Sequence, residues 1–397
     1  MIGISKLYCG TVEPSDVLRY GALSANLPSH LLQFSADKKP VVVWNCTRRC
    51  NLRCVHCYAH SADKHYAGEL TTGQGTALIE DLAEFGAPVL LFSGGEPLMR
   101  PDLFELANRA VTLGMRAVIS TNGTLIDRRT AERLRDAGLS YVGISLDGTE
   151  QVNDSFRGIA GAFNMALAGI RNCICAGIKV GLRFTINKRN AGEIPAMFSL
   201  LENENIPRVC FYHLVYAGRG TKLINEDTDH TTTRKLVDTI IDHTRRLHSN
   251  GQPVEVLTVD NHADGPYLYL RLLRESSPRA PKVLELLLMN GGNSSGNGIG
   301  CVSWDGSVHA DQFWRHESFG NVAERPFSQI WSDLSNPLMA KLKDKRPHLT
   351  GRCTRCRFLD ACGGNFRVRA EAATGNLWAP DPACYLTDEE ISGGGDT

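Results

Sequence analysis

Residues 40–58 read PVVVWNCTRRCNLRCVHCY, an apolar, β-branched run that passes directly into a loop holding Cys50, Cys54 and Cys57. A short run that is apolar on both faces reads as a buried parallel strand. Runs of the same kind return at PVLLF (88–92), RAVIS (116–120), YVGIS (141–145), KVGLRFTI (179–186) and RVCFYHLV (208–215). Between them lie helical patterns at 71–86, 127–138 and 190–204, several opened by Thr or Asp and closed by Gly. About six βα units therefore span residues 40–215. They predict an α/β fold with a parallel sheet, either open and doubly wound or closed toward a barrel.

On either side of these units the rhythm is lost. Residues 1–39 show no clear periodicity. From about 216 a helix at 230–248 is followed by an irregular stretch and by the tract GGNSSGNG (291–298), which reads as a linker or mobile loop. The remainder, with short runs around SWDGSVHA, is too small and loop-rich to fold readily without a staple, which a metal would supply. The expected organisation is an N-terminal segment (1–39), a main domain (40–260), a connecting region (261–298) and a cysteine-rich domain (299–397).

The chain has 397 residues, 42% hydrophobic and 22% charged, values that exclude a disordered or fibrous protein. Lys and Arg total 43, as do Asp and Glu, so no net charge draws in nucleic acid or an anionic membrane. No run reaches the roughly 18–20 apolar residues of a membrane span, and MIGISKLYCG lacks a signal-peptide pattern. A cytoplasmic protein is expected. Its thirteen cysteines are then thiols rather than disulfides, and their clustering points to metal. Cys173, Cys175 and Cys210, in apolar surroundings, read as small buried hydrophobes.

Cys50, Cys54 and Cys57 put three thiolates on one loop in CxxxCxxC spacing. Three ligands leave a metal site open, whereas structural zinc takes four and its cysteines usually come as two CxxC pairs. The loop therefore suits a 4Fe-4S cluster with one exchangeable position, and a zinc knuckle is the physical rival. Cys46, at a strand end, reads as a buried thiol outside the set. After PVLLFS come Gly94, Gly95, Glu96 and Pro97, whose glycines allow close backbone approach and whose carboxylate can accept from an ammonium group. Ser120 and Asn122 end the next run, Ser145 and Asp147 the one after, where α/β folds bind their ligands. Arg183, charged within a buried strand, needs a partner.

Together these residues resemble the radical SAM enzymes. The resemblance implies a partial (β/α)6 radical SAM barrel over residues 40–260. It also implies that the open iron of the Cys50–Cys54–Cys57 cluster chelates S-adenosylmethionine and that reductive cleavage yields a 5′-deoxyadenosyl radical. His56 and Tyr58 would flank the cluster. Gly94, Gly95 and Glu96 match the GGE motif that holds the methionine amino group. Ser120, Asn122, Ser145 and Asp147 would face the ribose and methionine parts, with Arg183 on the carboxylate.

Cys353, Cys356, Cys362 and Cys384 make a second, four-thiolate set, which closes a site. Zinc is again the physical rival. CxxCx5C with a distant fourth cysteine resembles the SPASM and twitch extensions, implying a C-terminal domain with one auxiliary 4Fe-4S cluster. The full pattern has further cysteines where this chain has Asp311 and Phe366, so Cys301 is expected to be structural rather than a ligand.

SKLYCGTVEPSDVLRYG, LPSHLLQFSADKKP and CGGNFRVRAEAATG extend the likeness to the haem-biosynthesis branch of the family. One reaction of that branch removes two acetate side chains from 12,18-didecarboxysiroheme to give iron-coproporphyrin III. Neighbouring branches replace propionates by oxo groups in haem d1 biosynthesis or mature ribosomal peptides. The implied partners are an iron-tetrapyrrole substrate and an external electron donor such as flavodoxin or ferredoxin. A carboxylate-rich substrate needs cations and an iron can take an axial ligand, so Arg219 and His213 are candidates. The bland readings are a solvated arginine and a satisfied core histidine.

Overall fold

The computed structural model describes residues 1–13, 16, 19 and 39–393; most of LPSHLLQFSADKKP lies outside the described residues. The strands are β1 (Ile2–Gly3), β2 (Val41–Thr47), β3 (Val89–Gly94), β4 (Arg116–Thr121), β5 (Val142–Ser145), β6 (Val180–Ile186), β7 (Arg208–His213), β8 (Glu255–Val259), β9 (Ile299–Val302) and β10 (Val308–His309). They form one sheet in the order β1-β8-β7-β6-β5-β4-β3-β2-β9-β10. From β2 to β8 every neighbour is parallel. β9 adds in parallel to β2, while β1 and β10 close the two ends antiparallel. This is the partial barrel: a parallel arc with all its strand carboxyl ends on one side.

All six expected strands are present, and local chemistry starts their helices. α1 (Thr72–Phe85) begins at a capping box of Thr71 with Gln74 and stops at left-handed Gly86. α2 (Leu103–Thr112) follows β3. Asp127 caps α3 (Arg128–Asp136) through the Thr130 amide. α4 (Glu150–Arg157) and α5 (Ala162–Cys175) fill the link from β5 to β6, α6 (Ile194–Asn203) the next, and α7 (His230–Ser249) the last. Trp44, Phe92, Phe184, Phe198 and Phe211 are fully buried between sheet and helices.

Two expectations from the irregular stretch are corrected. Residues after 249 contain a seventh parallel strand, β8, and helices α8 (Asp264–Arg274) and α9 (Ala280–Asn290), which pack on each other. The tract GGNSSGNG is a packed turn rather than a linker: Asn293 and Ser295 are buried, the Asn293 amide bonds to the Cys362 carbonyl, and Lys345 reaches the Asn293 carbonyl. Cys175 is exposed, unlike Cys173 and Cys210.

Beyond β10 the chain forms α10 (Phe327–Ser332), α11 (Pro337–Lys343), α12 (Leu359–Cys362), α13 (Arg367–Thr374) and α14 (Asp388–Ser392). This region is fastened to the sheet by a fully buried guanidinium. Arg369 makes two bonds of 2.8 Å to Asp381 and donates to the carbonyls of Leu214 and Asp260, just past β7 and β8. Such a buried pair is held by having all of its charge and donors satisfied.

Candidate functional site

The loop after β2 is held in place by backbone. The Arg53 and Val55 amides donate to the carbonyls of Arg157 and Phe156 at the end of α4. Arg219 clamps the other side: its amide bonds to the Cys57 carbonyl, Nε to the Cys54 carbonyl and Nη1 to the Ser61 carbonyl. Gly218 lets this happen, since a Cβ there would lie 2.3 Å from the Tyr58 carbonyl oxygen. Arg219 thus clamps the loop carbonyls, while its buried Nη2 has no hydrogen-bond partner. Gly95 does the same work from β3, where a Cβ would lie 2.2 Å from the Arg49 carbonyl oxygen.

Cys50, Cys54 and Cys57 line one cleft at the carboxyl ends of the parallel strands. Burial pushes the Cys50 thiol up to about 12 and Cys54 upward, and each feels its neighbouring thiols in the same direction. Three thiolates stand ionised in such a place only beside positive charge. Part of it comes from Arg157, whose Nη1 is 3.6 Å from the Cys54 sulfur. Arg157 went unnoticed in the sequence because it comes from the end of a helix rather than of a strand.

Gly94, Gly95, Ser120, Asn122, Ser145, His56, Tyr58 and Arg183 all line the same cleft. Asn122 lies with its amide nitrogen 3.9 Å from the Cys50 sulfur and 2.8 Å from the Asn51 side-chain oxygen. The His56 ring packs on Phe156, and burial lowers it to about 4, so it is a neutral imidazole near pH 7. The Tyr58 hydroxyl reaches Asn45 and Ser93. Arg183 lies over the Tyr212 ring at 4.6 Å and, among the described residues, has no carboxylate in an ion pair with it.

Two carboxylates are placed differently from expectation. Glu96 is fully buried and accepts from the Leu98 amide, the Thr121 hydroxyl and the Asn122 amide, tying β3 to β4 instead of offering its charge to the cleft. Asp147 accepts from the Thr185 amide and pairs with Arg157 at 2.5 Å, with His56 Nε2 3.6 Å away. His213 lines the cleft but is bonded at 2.9 Å to Asp264, which also accepts from Tyr385. The Asp264 carboxylate thus fixes one ring nitrogen and the orientation of the imidazole.

The structure adds residues that the sequence did not single out. Asp260, past β8, is buried in the cleft wall at φ 64° with Oδ2 unpartnered, and burial raises its carboxyl to about 6. Gln312 and Phe313 reach the cleft from the C-terminal region and narrow it.

Cys353, Cys356, Cys362 and Cys384 form the second set. Burial drives Cys362 well above its ordinary value, and Cys384, Cys353 and Cys356 push the same way. Arg352 and Arg367 act against that rise. Cys301 lies elsewhere, fully buried on β9 and accepting from the Asn45 amide group at 3.4 Å. Cys46 is equally buried, its carbonyl held by Arg100. Among the described residues no group of three or more His, Cys, Asp or Glu converges as on a single ion, and an iron-sulfur cluster, whose thiolates each bind a different iron, needs no such convergence. An open cleft with three sulfurs, a cation and a glycine-lined wall fits a cluster with a bound small molecule. Four sulfurs, one buried and three half-buried, fit a cluster alone.

A sequence model of the radical SAM superfamily matches residues 44–201, and one of an iron-sulfur cluster-binding domain, SPASM, matches residues 295–357. The chain is 68% identical to Fe-coproporphyrin III synthase of Methanosarcina barkeri over 98% of its own length and 99% of that protein. It is 46% identical to pre-heme d1 synthase of Dinoroseobacter shibae over 89% of its length and 87% of that protein. Its fold is similar to that of native anSMEcpe with bound AdoMet, with TM-score 0.67 and 18% identity over 87% of this chain and 93% of that one.

Proposed function

The chain belongs to the radical SAM superfamily, in the family of haem-pathway enzymes that includes Fe-coproporphyrin III synthase, and from that membership we propose that it removes the two acetate side chains of 12,18-didecarboxysiroheme to give iron-coproporphyrin III. The observation that carries this reading is identity of 68% along essentially the whole of both chains. When bound, the 4Fe-4S cluster and S-adenosylmethionine supply a 5′-deoxyadenosyl radical that takes a hydrogen atom from the substrate.

The chain's own residues do the rest. Cys50, Cys54 and Cys57 would hold the cluster, with Arg157 moderating the thiolate charge. Arg183, half-buried and without an acidic partner among the described residues, would pair with the methionine carboxylate. Gly94 and Gly95 bring backbone close to the amino group, and Ser120, Asn122 and Ser145 offer polar groups to the ribose. Glu96 and Asp147 keep these strand ends in register. Gln312 and Phe313 restrict water at the reacting edge of the substrate. Cys353, Cys356, Cys362 and Cys384 would hold the auxiliary cluster, placed to relay electrons left after fragmentation. No helix among the described residues is long and apolar enough to cross a membrane. We place the enzyme in the cytoplasm, served by flavodoxin or ferredoxin, without nucleic acid.

Anaerobic incubation of the reconstituted protein with 12,18-didecarboxysiroheme, S-adenosylmethionine and dithionite tests the reading. Iron-coproporphyrin III should form with two 5′-deoxyadenosines per molecule, one for each acetate. A product bearing oxo groups, or unchanged substrate beside free deoxyadenosine, would contradict it.

A further inference from the structure

Tyr58 and Phe313 wall the cleft and also a wider hollow beyond it. Two guanidiniums face that hollow from different parts of the chain. Arg48 lies two residues before Cys50, and Arg315 comes from the C-terminal region. Both stand on the indole of Trp304, their guanidinium carbons 4.8 and 4.4 Å from the ring centre. Arg48 is steadied by the Ala59 carbonyl and Arg315 by the Tyr58 carbonyl, at 3.2 and 3.4 Å. Neither has an acidic side chain in an ion pair among the described residues, and the buried Arg315 Nε has no hydrogen-bond partner. Glu371 also faces the hollow, but it already accepts from His316 and from the Trp314 indole. His60 feels Arg219, Arg48, Arg315 and Lys222 together, all in the sense that disfavours a further positive charge.

Two arginines held side by side against mutual repulsion, with no ion-paired acid among the described residues and with Glu371 already engaged by His316 and Trp314, form a site awaiting an anion. The fork of a guanidinium matches a carboxylate, and the flanking Tyr58 and Phe313 rings suit a flat apolar body. We propose that Arg48 and Arg315 are a carboxylate-binding subsite that seats a propionate of the iron-tetrapyrrole in the hollow while the reacting edge of the macrocycle enters the cleft past Tyr58 and Phe313. This rests on the function proposed above. Because one arginine adjoins the cysteine loop and the other belongs to the C-terminal region, the seated propionate draws the substrate across both.

The test titrates the reconstituted full chain with iron-coproporphyrin III and with its tetramethyl ester, following the Soret band; iron and sulfide content serves as the folding control. Arg315→Gln and, separately, Arg48→Gln should weaken the free acid by about tenfold or more, the loss of a charge-assisted contact, and change the ester by less than about twofold. Arg315→Lys should recover part of the loss. Wild-type affinity of both Gln variants for the free acid, or equal loss for acid and ester, would overturn the subsite while leaving the proposed function standing. Failure of the unmodified protein to take up either compound would overturn both.

Discussion

The two cysteine sets use the same ligand in different surroundings. Cys50, Cys54 and Cys57 lie within eight residues on a loop at the open end of a parallel sheet, with a cleft in front of them. Cys353, Cys356, Cys362 and Cys384 are gathered from 32 residues of turns and short helices. There the Cys362 thiol feels the other three, and Arg352 and Arg367 act on the Cys353 thiol in the opposite sense. The contrast teaches that the count of thiols settles whether a position is left free, and the fold around them settles what can reach it. Cys46 and Cys301 are fully buried beside these regions, the Cys301 sulfur accepting from the Asn45 amide group and the Cys46 carbonyl from Arg100.

The largest break in this comparison is to remove one set and keep the other. Replacing Cys50, Cys54 and Cys57 together by Ala should abolish deoxyadenosine formation and halve the iron content; unchanged iron would refute the assignment. Cys356→Ala should also lose about half the iron, because a four-thiolate cluster missing one ligand is labile. It should still cleave S-adenosylmethionine but yield no product. Cys301→Ala is the control, expected to keep full iron; a loss equal to that of Cys356→Ala would make Cys301 a ligand.

Smaller effects probe what surrounds the thiols. Arg157→Ala strands the buried carboxylate of Asp147 and should lower stability by about 3–5 kcal/mol in anaerobic unfolding. A wild-type transition would mean the pair contributes nothing. Asp260 offers a test in pH. Its carboxyl rises from 3.8 to about 6 on folding, so the folded state binds the proton more tightly and stability falls as pH rises between those values. Asp260→Asn should therefore stabilise the protein above pH 6 by up to about 3 kcal/mol, with the advantage vanishing towards pH 4. An advantage independent of pH would point to packing instead. Arg183→Ala should weaken S-adenosylmethionine binding by about tenfold or more with the cluster intact. Unaltered affinity would remove Arg183 from the site.

Much of this arrangement was legible in the residues. The six runs from PVVVW to RVCFYHLV carry an uninterrupted apolar signature because both faces of a parallel strand are covered. The cysteine spacings speak for themselves. β8 was missed because its run includes Glu255 and Thr258, and the buried Glu255 is acceptable only where Arg19, Lys179 and Arg208 converge on it from distant positions. The protein partners of Glu96, Asp147 and Arg219 were hidden for a related reason. A strand-end carboxylate or a loop arginine reads as a ligand contact until its protein partners are known, and here those partners are backbone amides, a helix-end arginine and loop carbonyls.

The most direct test of the open and closed sites is electron paramagnetic resonance of the dithionite-reduced protein with and without S-adenosylmethionine. In the unmodified enzyme the cofactor should shift one of two 4Fe-4S signals. In the Cys50/Cys54/Cys57→Ala variant the single remaining signal should be the one the cofactor leaves unchanged. A shift of that remaining signal on adding S-adenosylmethionine would show that the four-thiolate site is open, and would contradict the assignment of the cofactor to the three-thiolate loop.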